Sequence, residues 1–251
     1  MDELLALVGR NWRLLLLYPG GLTTLGALLA VVFASRTRPT FSIFQRISVH
    51  DLPVCAMWLL VCALLPLPQT SWPYSLDLAA LLLLIEASFW LRMLSSATLN
   101  DAPMLGAILS MYPLLLLAVV IIGTATGSLV LREIAANTDW LRWVGVGVWA
   151  LALPPLLALG PWRSTNMSAW HPLRQVTHMG LLLAAALPTN DTTSRLASLA
   201  GFCVMLLALA ALDHWWQGDA DRWLRWQPWL VMVLALLVAA LSTQGLIARL
   251  R

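Results

Sequence analysis

Apolar residues fall along this chain in long blocks separated by short polar stretches, and the blocks predict helices of membrane-spanning length. The run from Pro103 to Leu131 carries no charged residue. As a helix it would extend about 43 Å, against a hydrocarbon core of about 30 Å. Such an element must tilt or kink, and Pro113 offers a kink point. We take Ala102 to Ile134 as the central element. Its Gly123 and Gly127 stand four apart, as do Gly106 and Ser110. Small residues at that spacing let a second helix approach closely, so these four are the expected helix-packing positions.

The remaining blocks follow the same logic. An amphipathic lead, Asp2 to Asn11, is suited to a membrane surface. A first span, Leu14 to Ala34, is interrupted by Pro19-Gly20-Gly21. Further spans are expected at Leu52–Pro66, Leu76–Leu94, Trp143–Leu159 (with Pro154-Pro155 inside it), Leu173–Leu187, Arg195–Leu212 and Pro228–Leu246. With the central element this makes about eight transmembrane helices, or seven if the short block after Leu173 does not cross. The predicted fold class is therefore all-α, a polytopic integral membrane helix bundle. It forms one transmembrane domain over residues 1–251, with no soluble domain and no internal repeat.

Composition supports the class. Hydrophobic residues make up 60% of the chain, charged ones 11%, and the mean hydropathy is +0.80. A soluble domain carries about 25% charged residues. All 15 basic residues are arginine, and the net charge is only +3. Scattered as they are, they give no argument for nucleic acid. They divide seven to eight between the two sides of an eight-helix arrangement, so the positive-inside rule assigns no orientation. Many of the 14 tryptophans lie near block ends, as in interfacial belts where lipid is the partner. The start, MDELLALVGR, is not a secretory signal. The expected location is an integral position in the bacterial cytoplasmic membrane.

Chemistry concentrates in a few residues. Glu86 stands in LLLLIEASFW, near the middle of a span. An isolated carboxylate there is costly, so it is either a station on a proton path or a neutral acid bonded to a neighbouring helix. Arg92 is six residues on and off its face; Asp77 suits a helix N-terminus. His171, Arg174 and His178 follow i, i+3, i+7 spacing and share one helix face. A haem would need a second axial histidine, and His50 and His214 fall in predicted loops. The cysteines, Cys55, Cys62 and Cys203, show no C-x-x-C, so no metal site or iron–sulfur cluster is expected. No Walker or dinucleotide motif and no Ser-His-Asp set is present, so no catalytic residue is assigned.

The order of segments resembles subunit 1 (the H subunit) of proton-pumping NADH:quinone oxidoreductase, complex I, and the related membrane subunit of energy-converting hydrogenases. The likeness rests on Gly106, Ala107, Tyr112, Pro113, Leu114, Gly127, Ser128, Leu129 and Glu133 in the central element. LYPGGLTTLGALL is similar to the family's first helix and ADRWLRWQPWLVMVLALL to its last. There are departures. Leu109 or Ser110 stands where the family has arginine, and Tyr112-Pro113 lacks the glutamate. The stretch GPWRSTNMSAWHPLRQ has no acid where the family's quinone loop is acidic. The resemblance implies a membrane subunit of a redox assembly that seats a peripheral arm, with other membrane and peripheral subunits as partners. It implies no cofactor bound by this chain alone, and a quinone at a subunit interface. Glu86, Glu133, His171, Arg174 and His178 are the proton-path or quinone candidates. Two rival readings stand beside it: a small secondary transporter with helices broken at Pro19-Gly20-Gly21 and Pro154-Pro155, and a non-catalytic membrane scaffold.

Overall fold

The computed structural model describes residues 51–65, 76–96, 101–159, 171–187 and 225–236, with positions 162, 200, 201, 203, 204 and 207. The amphipathic lead, the first span with its Pro19-Gly20-Gly21 break, His50 and His214 lie outside the described residues, as does most of the span expected at Arg195–Leu212. All described elements are helical: α1 (Asp51–Leu64), α2 (Leu78–Ser96), α3 (Ala102–Thr126), α4 (Leu131–Ala136), α5 (Trp140–Leu156) and α6 (His171–Ala186). Residues 225–236 are helical too. The fold is all-α. Among the described residues one helix, Ala102–Thr126, is long and apolar enough to cross a membrane; Asp51–Leu64 is apolar but shorter.

The chain groups into two compact units that alternate along the sequence. The first takes residues 1–96 and 168–207, the second residues 97–167 and 208–251. In the first, α1, α2 and α6 pack against one another. Pro53 sits in the first turn of α1, where its missing N–H removes no helical bond. Asp77 accepts the Ala80 N–H at 3.0 Å through Oδ1, so it caps α2 as its position suggested. The Trp58 indole N–H donates to the Ile85 carbonyl at 3.2 Å, fixing the register of α1 on α2. An ion pair between Asp51 and Arg92 ties the start of α1 to the last turns of α2.

Helix α2 is apolar on both its buried and its free face. Its outward stripe is Ala80, Leu83, Ala87, Leu91 and Leu94, all apolar, while Glu86 lies on the buried side with Leu82, Ile85 and Phe89. Its free face therefore carries no charged side chain, and the one carboxylate in this part of the helix is turned inward.

In the second unit α3 packs along α5. The approach is made possible by Gly145 of α5. A Cβ there would stand 2.6 Å from Ile122 Cγ1 and 3.1 Å from the Ala118 carbonyl oxygen. The small residues expected to serve packing have these surroundings among the described residues. Gly106 is exposed, with nothing within 4 Å of a Cβ among the described residues, and belongs to an outward stripe with Leu109, Leu116 and Val120. Gly127, at φ 70, ends α3 in the left-handed conformation, its N–H bonded to the Gly123 carbonyl at 2.9 Å. A Cβ on Gly123 would meet Leu129, three residues past the helix end, and no neighbouring helix among the described residues. Ser110 turns its hydroxyl to the Ala107 carbonyl at 2.7 Å, and its own carbonyl accepts from the Gln227 amide. That carbonyl lies within the turn disturbed by Pro113, whose ring nitrogen carries no proton.

The connection from α3 to α5 is a polar knot with one helical turn in it. Thr126 Oγ1 donates to the Ile122 carbonyl at 2.9 Å, and Asn137 Nδ2 reaches back to Ala125 at 3.2 Å. Arg142, buried, donates from Nη1 to the carbonyls of Ile134 and Ala135 at 2.8 and 3.0 Å, closing the C-terminal end of α4. Asp139 caps α5 by accepting the Leu141 N–H. At the far end Pro154 and Pro155 occupy the last turn of α5 and terminate it; they do not divide a longer helix.

Candidate functional site

The site is built by two helices of the first unit. Arg174 and His178 stand one turn apart on α6, so both side chains leave the same face and reach a single point. That point is the Glu86 carboxylate of α2. Arg174 Nη2 lies 2.9 Å from Oε1 and 2.7 Å from Oε2. His178 Nε2 lies 2.5 Å from Oε1. Arg174 and His178 have no exposed surface, and Glu86 is 7% exposed. One turn along α2, Phe89 presents its ring to the guanidinium, with Arg174 Cζ 3.9 Å from the centroid. Phe89 thus covers the cation with the negative face of an aromatic ring. Beneath His178, Thr177 Oγ1 donates to the Leu173 carbonyl at 2.6 Å and lies 3.1 Å from Cys62 Sγ of α1.

Charge accounting limits the states of this cluster. The guanidinium is always charged, so an ionised Glu86 and a neutral His178 give a net charge of zero in the buried site. In that state His178 donates from Nε2 to the carboxylate. Its other nitrogen, Nδ1, is buried and has no hydrogen-bond partner among the described residues. A neutral Nε2–H imidazole leaves there a lone pair, which is less costly to bury than an N–H of an imidazolium.

No family model, no curated protein and no solved structure matches this chain.

Of the five proton-path or quinone candidates, the structure brings three together: Glu86, Arg174 and His178. His171 is buried on α6, one turn before Arg174. Glu133 belongs to the second unit, where it is exposed on the short helix α4. Sequence reasoning did not find three supporting features. Asp51 is a partner of Arg92; the signal available was an acid at the edge of one apolar block and a base inside the next. Cys62 and Thr177 touch 115 residues apart, with no pattern to announce it. Gly145 carries the close helix contact, and the Val-Gly-Val-Gly-Val run around it was the trace of it in the sequence. Among the described residues, no three His, Cys, Asp or Glu side chains form a metal-binding group.

Proposed function

We propose that this chain is an integral membrane subunit of a complex-I-like or hydrogenase-like redox assembly, in which the Glu86–Arg174–His178 cluster forms part of a proton or quinone path. The observation that carries the proposal is the cluster itself. Ionisable groups buried among apolar helices lose hydration worth several kcal/mol per ion, and a well-packed apolar core would hold such helices as well or better. Groups of this kind inside membrane helices mark ion and proton routes more often than packing. The outward stripes of α2 and α3 support the membrane reading, because both present leucine and valine where a water-facing helix would present charge. Motif order supports the assembly: the Gly106–Glu133 stretch and the last apolar block resemble the membrane subunit named above.

In this reading the second unit supplies the long α3–α5 hairpin that anchors the chain, and the first holds the ionisable cluster. Peripheral redox subunits would bring the electron carriers, and a quinone would sit at a subunit boundary. The chain's own part is to hold a carboxylate, a fixed cation and a titratable imidazole at hydrogen-bond distance in an apolar setting.

The test is mild detergent extraction of the native membrane, affinity capture through a C-terminal tag and mass spectrometry of the captured proteins. Iron–sulfur or flavin subunits together with antiporter-like membrane subunits are the expected companions. In that preparation Glu86→Gln should abolish quinone-linked turnover or proton translocation. Recovery of the chain alone, or only as its own oligomer, would overturn the proposal.

A further inference from the structure

We infer that His178 is a two-sided proton-transfer residue, which receives a proton at Nδ1 and delivers one from Nε2 to Glu86. The inference deepens the proton-path reading of Glu86 and rests on it, but not on the identity of any partner subunit.

Geometry assigns the two sides. Nε2 faces Glu86 Oε1 at 2.5 Å, which is a donor–acceptor contact with a carboxylate. Nδ1 is on the opposite edge of the ring, buried, and unbonded among the described residues. The bond from Nε2 to the carboxylate sets the resting tautomer, with hydrogen on Nε2, and leaves at Nδ1 a lone pair that no described group occupies and that can take up a proton. Arg174 occupies both oxygens of Glu86 from another direction, so the carboxylate stays in place while the proton moves.

The step balances as follows. A proton carried by water bonds to the Nδ1 lone pair, and the Nε2–H bond breaks with its proton passing to Oε1. The imidazole ends neutral with its hydrogen on Nδ1, and Glu86 ends as a neutral acid. The cluster has gained one proton and one positive charge, which resides on Arg174. Reversal of both transfers returns it to the starting state. The titratable and charged groups on the packed elements are Asp51, Cys55 and Cys62 of α1, Asp77 and Arg92 of α2 and its cap, and His171 of α6. Asp51 and Arg92 are already paired with each other.

The two tautomers differ in which ring nitrogen bears hydrogen, and nitrogen NMR reads this directly. Thr177-His178 is the only Thr-His pair in the sequence, so carbonyl-13C threonine picks out the backbone amide of His178, and correlation through a 13C,15N-labelled histidine side chain carries the assignment to its ring nitrogens in the unmodified protein. In lipid bilayers the expected result at neutral pH is a protonated Nε2 and a bare Nδ1. On acidification the hydrogen should move to Nδ1, with a carboxylic-acid carbonyl band appearing in the infrared spectrum. That band should be absent from Glu86→Gln, in which His178 should no longer exchange tautomers. A ring that keeps one tautomer across the pH range where the protein stays folded would overturn the inference. So would acidification to an imidazolium beside a carboxylate that never protonates. Both readouts are properties of the isolated chain, so their failure is separate from a failure to capture redox partners.

Discussion

Glu86 and Arg174 stand 88 residues apart in the chain and 2.7 Å apart in the folded unit, and neither has more than a trace of exposed surface. Each is the reason the other can be buried. Removing one partner leaves an uncompensated ion among apolar side chains, whereas removing both leaves a cavity that leucine or methionine can fill.

The first prediction is therefore a non-additive pair. Glu86→Leu and Arg174→Met should each destabilise the protein by about 3–5 kcal/mol. The double variant should lose less than either single one, even though His178 forfeits its acceptor at a cost of about 1–3 kcal/mol. Unfolding of the four proteins in the same detergent measures the coupling. Losses that simply add would show that the two charges are independently solvated.

The cluster was legible in pieces. The i, i+3, i+7 pattern put Arg174 and His178 on one face, and the burial of Glu86 followed from its apolar neighbours. Periodicity shows which residues share a face but not which helix lies against it, so the meeting of the two sets could not be read. The helix boundaries were close: α2 begins after its Asp77 cap, and α5 begins at Trp140 because Asp139 caps it. The central element ends at Thr126, short of the expected end, because Gly127 adopts φ 70 and turns the chain out of the helix. The small-residue pattern is ambiguous for a related reason. A glycine four residues from another is equally compatible with a packed face, an open face and a helix end, and among the described residues α3 shows the last two.

A second prediction follows from those glycines. Gly145→Ala should destabilise the α3–α5 contact by about 1–3 kcal/mol, since the added methyl would collide with Ile122 and with the Ala118 backbone. Gly106→Ala, on the open stripe of α3, should instead stabilise by about 0.5–1 kcal/mol by favouring the helix. Thermal or denaturant unfolding of the two variants side by side distinguishes a packed glycine from an exposed one. Equal effects would mean that Gly145 does not make the closest approach.

The chain turns provide a third pair with opposite signs. Ala158 follows the last turn of α5 at φ 49, a conformation that costs an L-residue about 1–2 kcal/mol. Ala158→Gly should recover much of that. Gly127→Ala, at φ 70, should incur a similar loss, although no neighbour crowds the site among the described residues. Ala158 is buried, so loss of its methyl offsets part of the gain there, whereas exposed Gly127 reports backbone strain alone. A stability change of the same sign for both would contradict the left-handed assignment at one of them.

The solvent of the outer surface can be tested at Leu83. This residue is 70% exposed on the apolar stripe of α2, one turn from Glu86 but on the outward side. If hydrocarbon covers the stripe, Leu83→Asp places a carboxylate in lipid near the middle of a helix and should cost about 2.5–3.5 kcal/mol. If water covers it, an exposed substitution of this kind changes stability by no more than about 0.5 kcal/mol. The same acid at position 86 is already tolerated, because Arg174 and His178 meet it there. Position 83 has no such partners among the described residues, so the difference between the two sites reports the medium and not the helix. Unfolding in bilayers, compared with the membrane-inserted yield of the variant, supplies both measurements. A silent Leu83→Asp would remove the membrane reading of this face, and with it the main reason to regard Glu86 as a charge held inside lipid.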